Sequence, residues 1–160
     1  MRRKDREVTD KNTIAEILSK SEICRIAIND DNGYTYIVPL NYGYCDNSLY
    51  FHCAKDGKKI DLIRLNNKVG FEIENFSRII KNDQPCKWSM HYLSLVGTGE
   101  VEIIEDTAGK KKGLDIIMNH YGKATGNEYV ESHVNNIVIL KLNITGLTAK
   151  GNGEREVLTN

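Results

Sequence analysis

The sequence predicts a mainly β domain: an antiparallel, hairpin-rich sheet of six or so strands, closed or split into a small barrel, with two or three peripheral helices. Three observations carry this. Segments with two-residue periodicity recur between turn clusters, they follow one another as hairpins rather than alternating with long helices, and only short stretches have helical spacing. At 160 residues and 40% hydrophobic, the chain suffices for one domain with its own core. Residues 1–148 are read as that domain and 149–160 as a polar tail.

Along the chain, residues 2–7 are a mixed-charge lead-in. Residues 9–20 carry Ile14, Ile17 and Leu18 at helical spacing, with Asp10 or the Thr13/Glu16 box as the start signal. Cys24, Ile26 and Ile28 alternate with Arg25 and Ala27 in a first strand that stops at the turn cluster Asp30-Asp31-Asn32-Gly33. The second arm, residues 34–44, holds Pro39, which donates no ladder hydrogen bond and points to a sheet edge. Residues 49–54 form a third strand. Residues 58–65 form a helix with Ile60, Ile63 and Leu65 as its buried face. Val69, Phe71 and Ile73 mark another strand, followed by a polar loop at 76–87 and a long strand at 88–104 bent near Gly97 and Gly99. Leu114, Ile117, Met118 and Tyr121 define a further helix, with Asp106 as its N-cap. A connector at 122–133 and a strand at 136–145 complete the pattern.

Composition narrows function. Lys and Arg number 22 against 22 Asp and Glu, so the basic footprint of a nucleic-acid binder is missing. The apolar runs, such as Ile137 to Leu140, are too short for a membrane span. The charged N-terminus lacks a signal-peptide pattern, so a cytoplasmic location is expected. Cys24, Cys45, Cys53 and Cys86 form no C-x-x-C pair and are expected as reduced, buried thiols. His91, His120 and His133 lack metal-ligand spacing and read as surface or structural residues; no metal site is expected.

The densest chemistry lies in Phe51-His52-Cys53-Ala54-Lys55-Asp56-Gly57-Lys58-Lys59, where a strand ends in a glycine turn and a helix begins with two lysines. Unpaired N–H groups and the dipole of a helix start favour an anion, and Lys58 and Lys59 add charge. A solvated lysine pair beside a turn glycine has the same pattern. His52 is suited to donate a proton or to serve as a packed core histidine. The tyrosines and Trp88 offer flat faces that serve equally for packing.

Taken together, residues 1–7, the strand Tyr36-Ile37-Val38-Pro39-Leu40-Asn41-Tyr42-Gly43-Tyr44, the segment 49–62, and Cys86-Lys87-Trp88 with Tyr92 resemble the nitroimidazole-resistance branch of the pyridoxamine 5′-phosphate oxidase-like flavoproteins. The likeness runs from Met1 to about Leu147 in the same order and similar spacing. It implies an FMN-binding split β-barrel and a homodimer with FMN at the subunit interface. On that pattern the backbone of Val38, Pro39, Leu40 and Asn41 borders the flavin ring, Lys58 and Lys59 hold its phosphate, and His52 is the active-site histidine. Trp88, Tyr92 and Ser94 reach the cleft from the partner subunit. The implied activity is FMN-dependent reduction of a nitro group or a related small-molecule acceptor, with His52 as proton donor. The alternative is a flavin- or haem-binding protein that stores or senses its ligand without turnover. A pyridoxamine-phosphate oxidase proper fits less well, because the chain is short and its substrate-phosphate residues cannot be placed.

Overall fold

The computed structural model describes residues 3–123 and 126–153. Its elements are β1 (Glu7–Val8), α1 (Lys11–Lys20), β2 (Cys24–Asn29), β3 (Thr35–Leu40), β4 (Gly43–Cys45), β5 (Ser48–Ala54), α2 (Lys58–Leu65), β6 (Lys68–Ile80), β7 (Ser89–Ile104), α3 (Thr107–His120), α4 (Glu131–Asn135) and β8 (Ile137–Asn152). All strand pairs are antiparallel, in the order β3-β2-β6-β7-β8-β5-β4, with β1 added to the far end of β8.

The two ends of that order, β3 and β4, are consecutive in sequence and separated only by Asn41 and Tyr42. Three Cα–Cα steps span at most about 11 Å, whereas seven flat strands would place their edges about 29 Å apart. The sheet therefore curls until its edges nearly meet, the split barrel that the sequence predicts. The arm expected as one strand at 34–44 is thereby two, broken where the chain crosses the split. Pro39 lies on the edge strand, paired only with Arg25 of β2.

Alternation fills the interior. Cys24, Ile26 and Ile28 of β2, Val69, Phe71 and Ile73 of β6, Leu93 and Leu95 of β7, and Leu140 and Leu142 of β8 are buried together with Leu49 and Phe51. Each such side chain contributes about 1.5–3 kcal/mol on leaving water. A smaller cluster on the other face of β5 and β8 joins Tyr50 and Ile139 to Ile117 of α3. At Gly43 of β4, a Cβ would stand 2.6 Å from the Ile116 carbonyl oxygen, so glycine sets how closely α3 seats. Near the β7 bend, a Cβ on Gly97 would strike the Phe71 ring, and the register against β8 shifts between Thr98 and Gly99.

The helix starts follow local chemistry. The carboxylates of Asp10 and Asp106 accept from the Thr13 and Gly109 amides. In α2 the buried residues are Ile60, Leu62 and Ile63, whereas Leu65 is 69% exposed. The helix ends at Leu65, beyond the barrel wall, so the expected face holds for two of its three members. Strand β6 continues to Ile80 by pairing with β7, which shortens the expected 76–87 loop to the β6–β7 connection. Strand β8 likewise runs to Asn152 because Ala149 and Lys150 pair with both β1 and β7; the remainder of the expected tail, residues 154–160, lies outside the described residues. Of the four free thiols only Cys24 is buried, and Cys86 is exposed. No helix of the described residues is long and apolar enough to cross a membrane.

Candidate functional site

The first turn of α2 sits between the β2–β3 hairpin and the end of β5. Gly57, its N-cap, adopts φ +126° and ψ 164°, a combination essentially confined to glycine, and turns the chain from β5 into the helix. Its carbonyl accepts from the Ile60 and Asp61 amides, and no side chain caps the helix. The two lysines that follow diverge. Lys58 reaches the hairpin: its Nζ is 2.7 Å from Asp30 Oδ2 and 5.3 Å from the centre of the Tyr36 ring. Lys59 turns towards β5, where its charge acts on His52 and Cys53.

Asp30 is well placed to hold Lys58. Its other oxygen accepts from the Asn32 backbone and side-chain amides. The hydrogen bond from Lys58, followed by that from the Asn32 amide, keeps the Asp30 carboxyl below its ordinary range. Partial burial first, and the Lys59 ammonium second, lower the His52 pKa. Burial raises the Cys53 thiol, against the opposing pull of Lys59.

Edge strand β3 borders this corner. Val38 and Leu40 are half-buried against the core, whereas Pro39 and Asn41 are exposed. Strand β4 covers β5 only as far as Tyr50, so among the described residues no strand pairs with the outer side of Phe51 to Ala54. His52 shares its β5 face with Tyr50 and stands across from Ile139, both in the cluster against α3. Its ring borders a hollow of about 300 Å³ between β5, α3 and α4, whose walls include Leu114, Val130, Val134 and Ile137, with Glu128 and His133 as polar groups.

The start of α2 thus links the β2–β3 hairpin, through Lys58 with Asp30 and Tyr36, to His52 and Cys53 at the end of β5, through Lys59; Val38, Pro39, Leu40 and Asn41 follow Tyr36 along edge strand β3 and into the crossing after it. Trp88, Tyr92 and Ser94 belong to β7 and to the connection that precedes it. Trp88 lies in the β6–β7 connection, half exposed, its Nε1 donating to the Asn82 carbonyl at 2.7 Å. The Tyr92 hydroxyl accepts from Arg6, and Ser94 pairs with Glu74 and Lys150. The level of His52 on β7 is marked by Ile104, through the shared partner Ile139. From Tyr92 to Ile104, β7 covers about 40 Å of contour at about 3.3 Å per residue.

Three participants escaped the sequence reading. Asp30 looked like a turn residue, and its link to Lys58 is a long-range contact. Glu128 and His133 fell in what read as a connector, because a five-residue helix with one buried side chain, Val134, gives no periodicity.

No curated protein matches the chain. A family model described as pyridoxamine 5′-phosphate oxidase matches residues 10–151. The structure of a candidate 5-nitroimidazole antibiotic resistance protein from Bacteroides thetaiotaomicron is similar, with 34% identity over 91% of this chain and 86% of that one, and a TM-score of 0.80. Two more distant structures share the fold. The FAD and heme binding protein of Mycobacterium smegmatis has 15% identity over 93% of this chain and 74% of that one, with a TM-score of 0.82. The flavocytochrome of Azotobacter vinelandii has 13% identity over 98% and 76%, with a TM-score of 0.80. With the split barrel, the match across residues 10–151 and the 34% identity pointing the same way, the chain belongs to the pyridoxamine 5′-phosphate oxidase family, in its nitroimidazole-resistance branch.

Proposed function

We propose that this chain is an FMN-dependent oxidoreductase that works as a homodimer and reduces a nitro group or a related small acceptor. The observation that carries the reading is the first turn of α2, with its uncapped helix start and paired lysines, set between edge strand β3 and the free side of β5. The corner fits a phosphate. Lys58 already contacts one anionic group, Asp30, and a Cβ on Gly57 would meet nothing within 4 Å, so the approach to the helix start is open.

When bound, the flavin supplies the redox chemistry, and the polypeptide supplies binding, orientation and a tuned field. Lys58 and Lys59 would hold the phosphate with their side chains and their own backbone amides at the start of α2. The backbone of Val38 to Asn41, on the edge strand and the crossing after it, would hydrogen-bond the polar edge of the ring. His52 would lend a ring N–H to the developing charge on the acceptor. On the family pattern, Trp88, Tyr92 and Ser94 would close the cleft of the partner subunit.

The test is an absorption spectrum taken across a size-exclusion peak, with and without added FMN. A flavin spectrum co-eluting at dimer mass supports the reading. A colourless monomer that ignores FMN overturns it, and a Soret band moves the protein to haem binding. Lys58→Ala with Lys59→Ala removes two charge-assisted contacts of about 1.5–3 kcal/mol each and weakens FMN by about tens-fold or more.

A further inference from the structure

We propose that Tyr121, at the end of α3, is a positioning residue for the flavin: its hydroxyl holds the Tyr42 amide, and through it the place where edge strand β3 crosses the barrel split. The inference rests on the reading above in one respect, that the backbone of Val38 to Asn41 borders the ring. It goes further in naming what holds that backbone still.

Among the described residues no strand pairs with the crossing. Strand β3 is fixed to β2 as far as Leu40, which pairs with Cys24, and β4 is fixed to β5 from Gly43 onwards. Asn41 and Tyr42 lie between, where main-chain groups need partners from outside a sheet. Tyr42 finds them on two helices. Its N–H donates to the Tyr121 hydroxyl oxygen at 3.0 Å, and its own hydroxyl, fully buried, donates to the Leu18 carbonyl of α1 at 3.0 Å. The Tyr121 O–H in turn donates to the Glu22 carbonyl at 2.6 Å. His120 donates from Nε2 to the Ser21 carbonyl at 2.8 Å, and its ring centre lies 4.5 Å from that of Tyr42. Tyr42 is therefore gripped by main chain and side chain together, between the end of α3 and the chain that leaves α1.

Such a grip positions the crossing only if α3 is itself fixed. A Cβ on Gly43 would strike the Ile116 carbonyl, so β4 and α3 meet backbone to backbone, and Ile117 is buried with Tyr50 and Ile139. Further up the helix the buried Lys110 donates from Nζ to the Val134 carbonyl of α4 at 3.2 Å, and Asp115 Oδ1 accepts from the Tyr129 hydroxyl at 2.8 Å. Helix α3 is thus tied to β4, β5, β8 and α4, whereas β3 has one strand neighbour among the described residues, β2. The edge strand takes its end position from the helix. Hydrogen bonds weaken steeply as the donor angle closes, so a small displacement at Asn41 is felt by the ring.

The test variant is Tyr121→Phe, which keeps the ring beside His120 and removes the hydroxyl. Tyr121 is 41% exposed, so water reaches the two groups it leaves and the barrel still folds. Ser48→Ala is the control: it removes a hydroxyl that bonds the Asp46 carbonyl and the Asn143 side chain, at the end of β4 away from the crossing. In protein free of FMN, hydrogen exchange followed by NMR is faster at the Tyr42 amide in Tyr121→Phe and unchanged there in Ser48→Ala. With FMN added, Tyr121→Phe binds it about threefold to tenfold more weakly and shifts the long-wavelength flavin band. Ser48→Ala keeps the wild-type Kd and the wild-type band. Unchanged exchange at Tyr42, or a wild-type Kd and band in Tyr121→Phe, overturns the proposal. So does a Ser48→Ala protein that moves Kd and band as far, since lost stability alone then accounts for the effect. Each of these results leaves FMN binding by the wild-type protein intact; a wild-type protein that takes up no FMN removes the reading of the site, and this proposal with it.

Discussion

Lys58 and Asp30 meet across the gap between α2 and the β2–β3 turn, Nζ 2.7 Å from Oδ2, so the first lysine of the proposed phosphate corner already has an internal counter-ion. A bound phosphate competes with that carboxylate for Lys58. Asp30→Asn keeps an acceptor for the Asn32 amide and removes the competing charge. FMN is expected to bind about threefold or more tighter, with a steeper loss on adding salt. Fluorescence titration of FMN into the protein measures this; weaker binding shows instead that Asp30 positions Lys58. The pair also responds to acid. Because the folded carboxyl is held below its ordinary value, its contribution to stability is complete above the unfolded value and is lost as the pH falls through the folded one.

His52 titrates below the ordinary 6.5 for two separable reasons, burial first and Lys59 second. Lys59→Met removes only the second. NMR titration is expected to show the His52 pKa rising part of the way back, and an unmoved value removes Lys59 from its surroundings. For a base with a lowered folded pKa, the stabilisation is present above 6.5 and lost as the pH falls through the folded value. Acidification therefore charges the ring and opposes the native packing.

Gly57→Ala isolates a backbone effect. A Cβ there meets nothing within 4 Å, so steric overlap does not contribute. The φ of +126° with ψ of 164° does, at about 1–3 kcal/mol. Calorimetry is expected to show a lower Tm together with weaker FMN binding, because the helix start moves. Loss of stability with unchanged FMN affinity separates the turn from the phosphate corner.

Tyr129 has a pKa raised to about 12, by burial and then by its hydrogen bond to Asp115. A raised acid contributes stability that is complete below the unfolded value of 10.0 and lost as the pH rises through about 12. Ultraviolet titration is expected to show one phenolate forming late, and Tyr129→Phe removes that late step. Hydrogen exchange at α4 should be faster in the same variant at neutral pH, since the tether to Asp115 is gone. Unchanged exchange there assigns the holding of α4 to Lys110 alone.

The sequence is most legible where a local rule is obeyed without competition. The bounds of α2, the caps at Asp10 and Asp106, and the alternation of Cys24, Ile26 and Ile28 are of this kind. It is least legible where tertiary closure overrides local pattern. The uniform β character of residues 34–44 hides the crossing at Asn41 and Tyr42, because the break reflects where the barrel splits and not which residues prefer strands. Lys110 shows the same limit. Within Lys110-Lys111-Lys112 nothing distinguishes the buried cation from its two exposed neighbours until α4 is packed over it. The proposed phosphate corner is half readable: the glycine and two lysines stand together in sequence, but Asp30 is reached only through the fold.

The length of β7 bears on genetics. If His52 serves one cofactor and Trp88, just before β7 and about 53 Å of contour from the level of His52, serves the other, each polypeptide carries two unrelated half-sites. Two defective alleles, His52→Ala and Trp88→Ala, then rescue each other. In a mixed dimer one cleft inherits both lesions and the other inherits neither, so activity returns when the two inactive proteins are exchanged into heterodimers. Failure of that complementation places both residues in the service of the same subunit's cofactor.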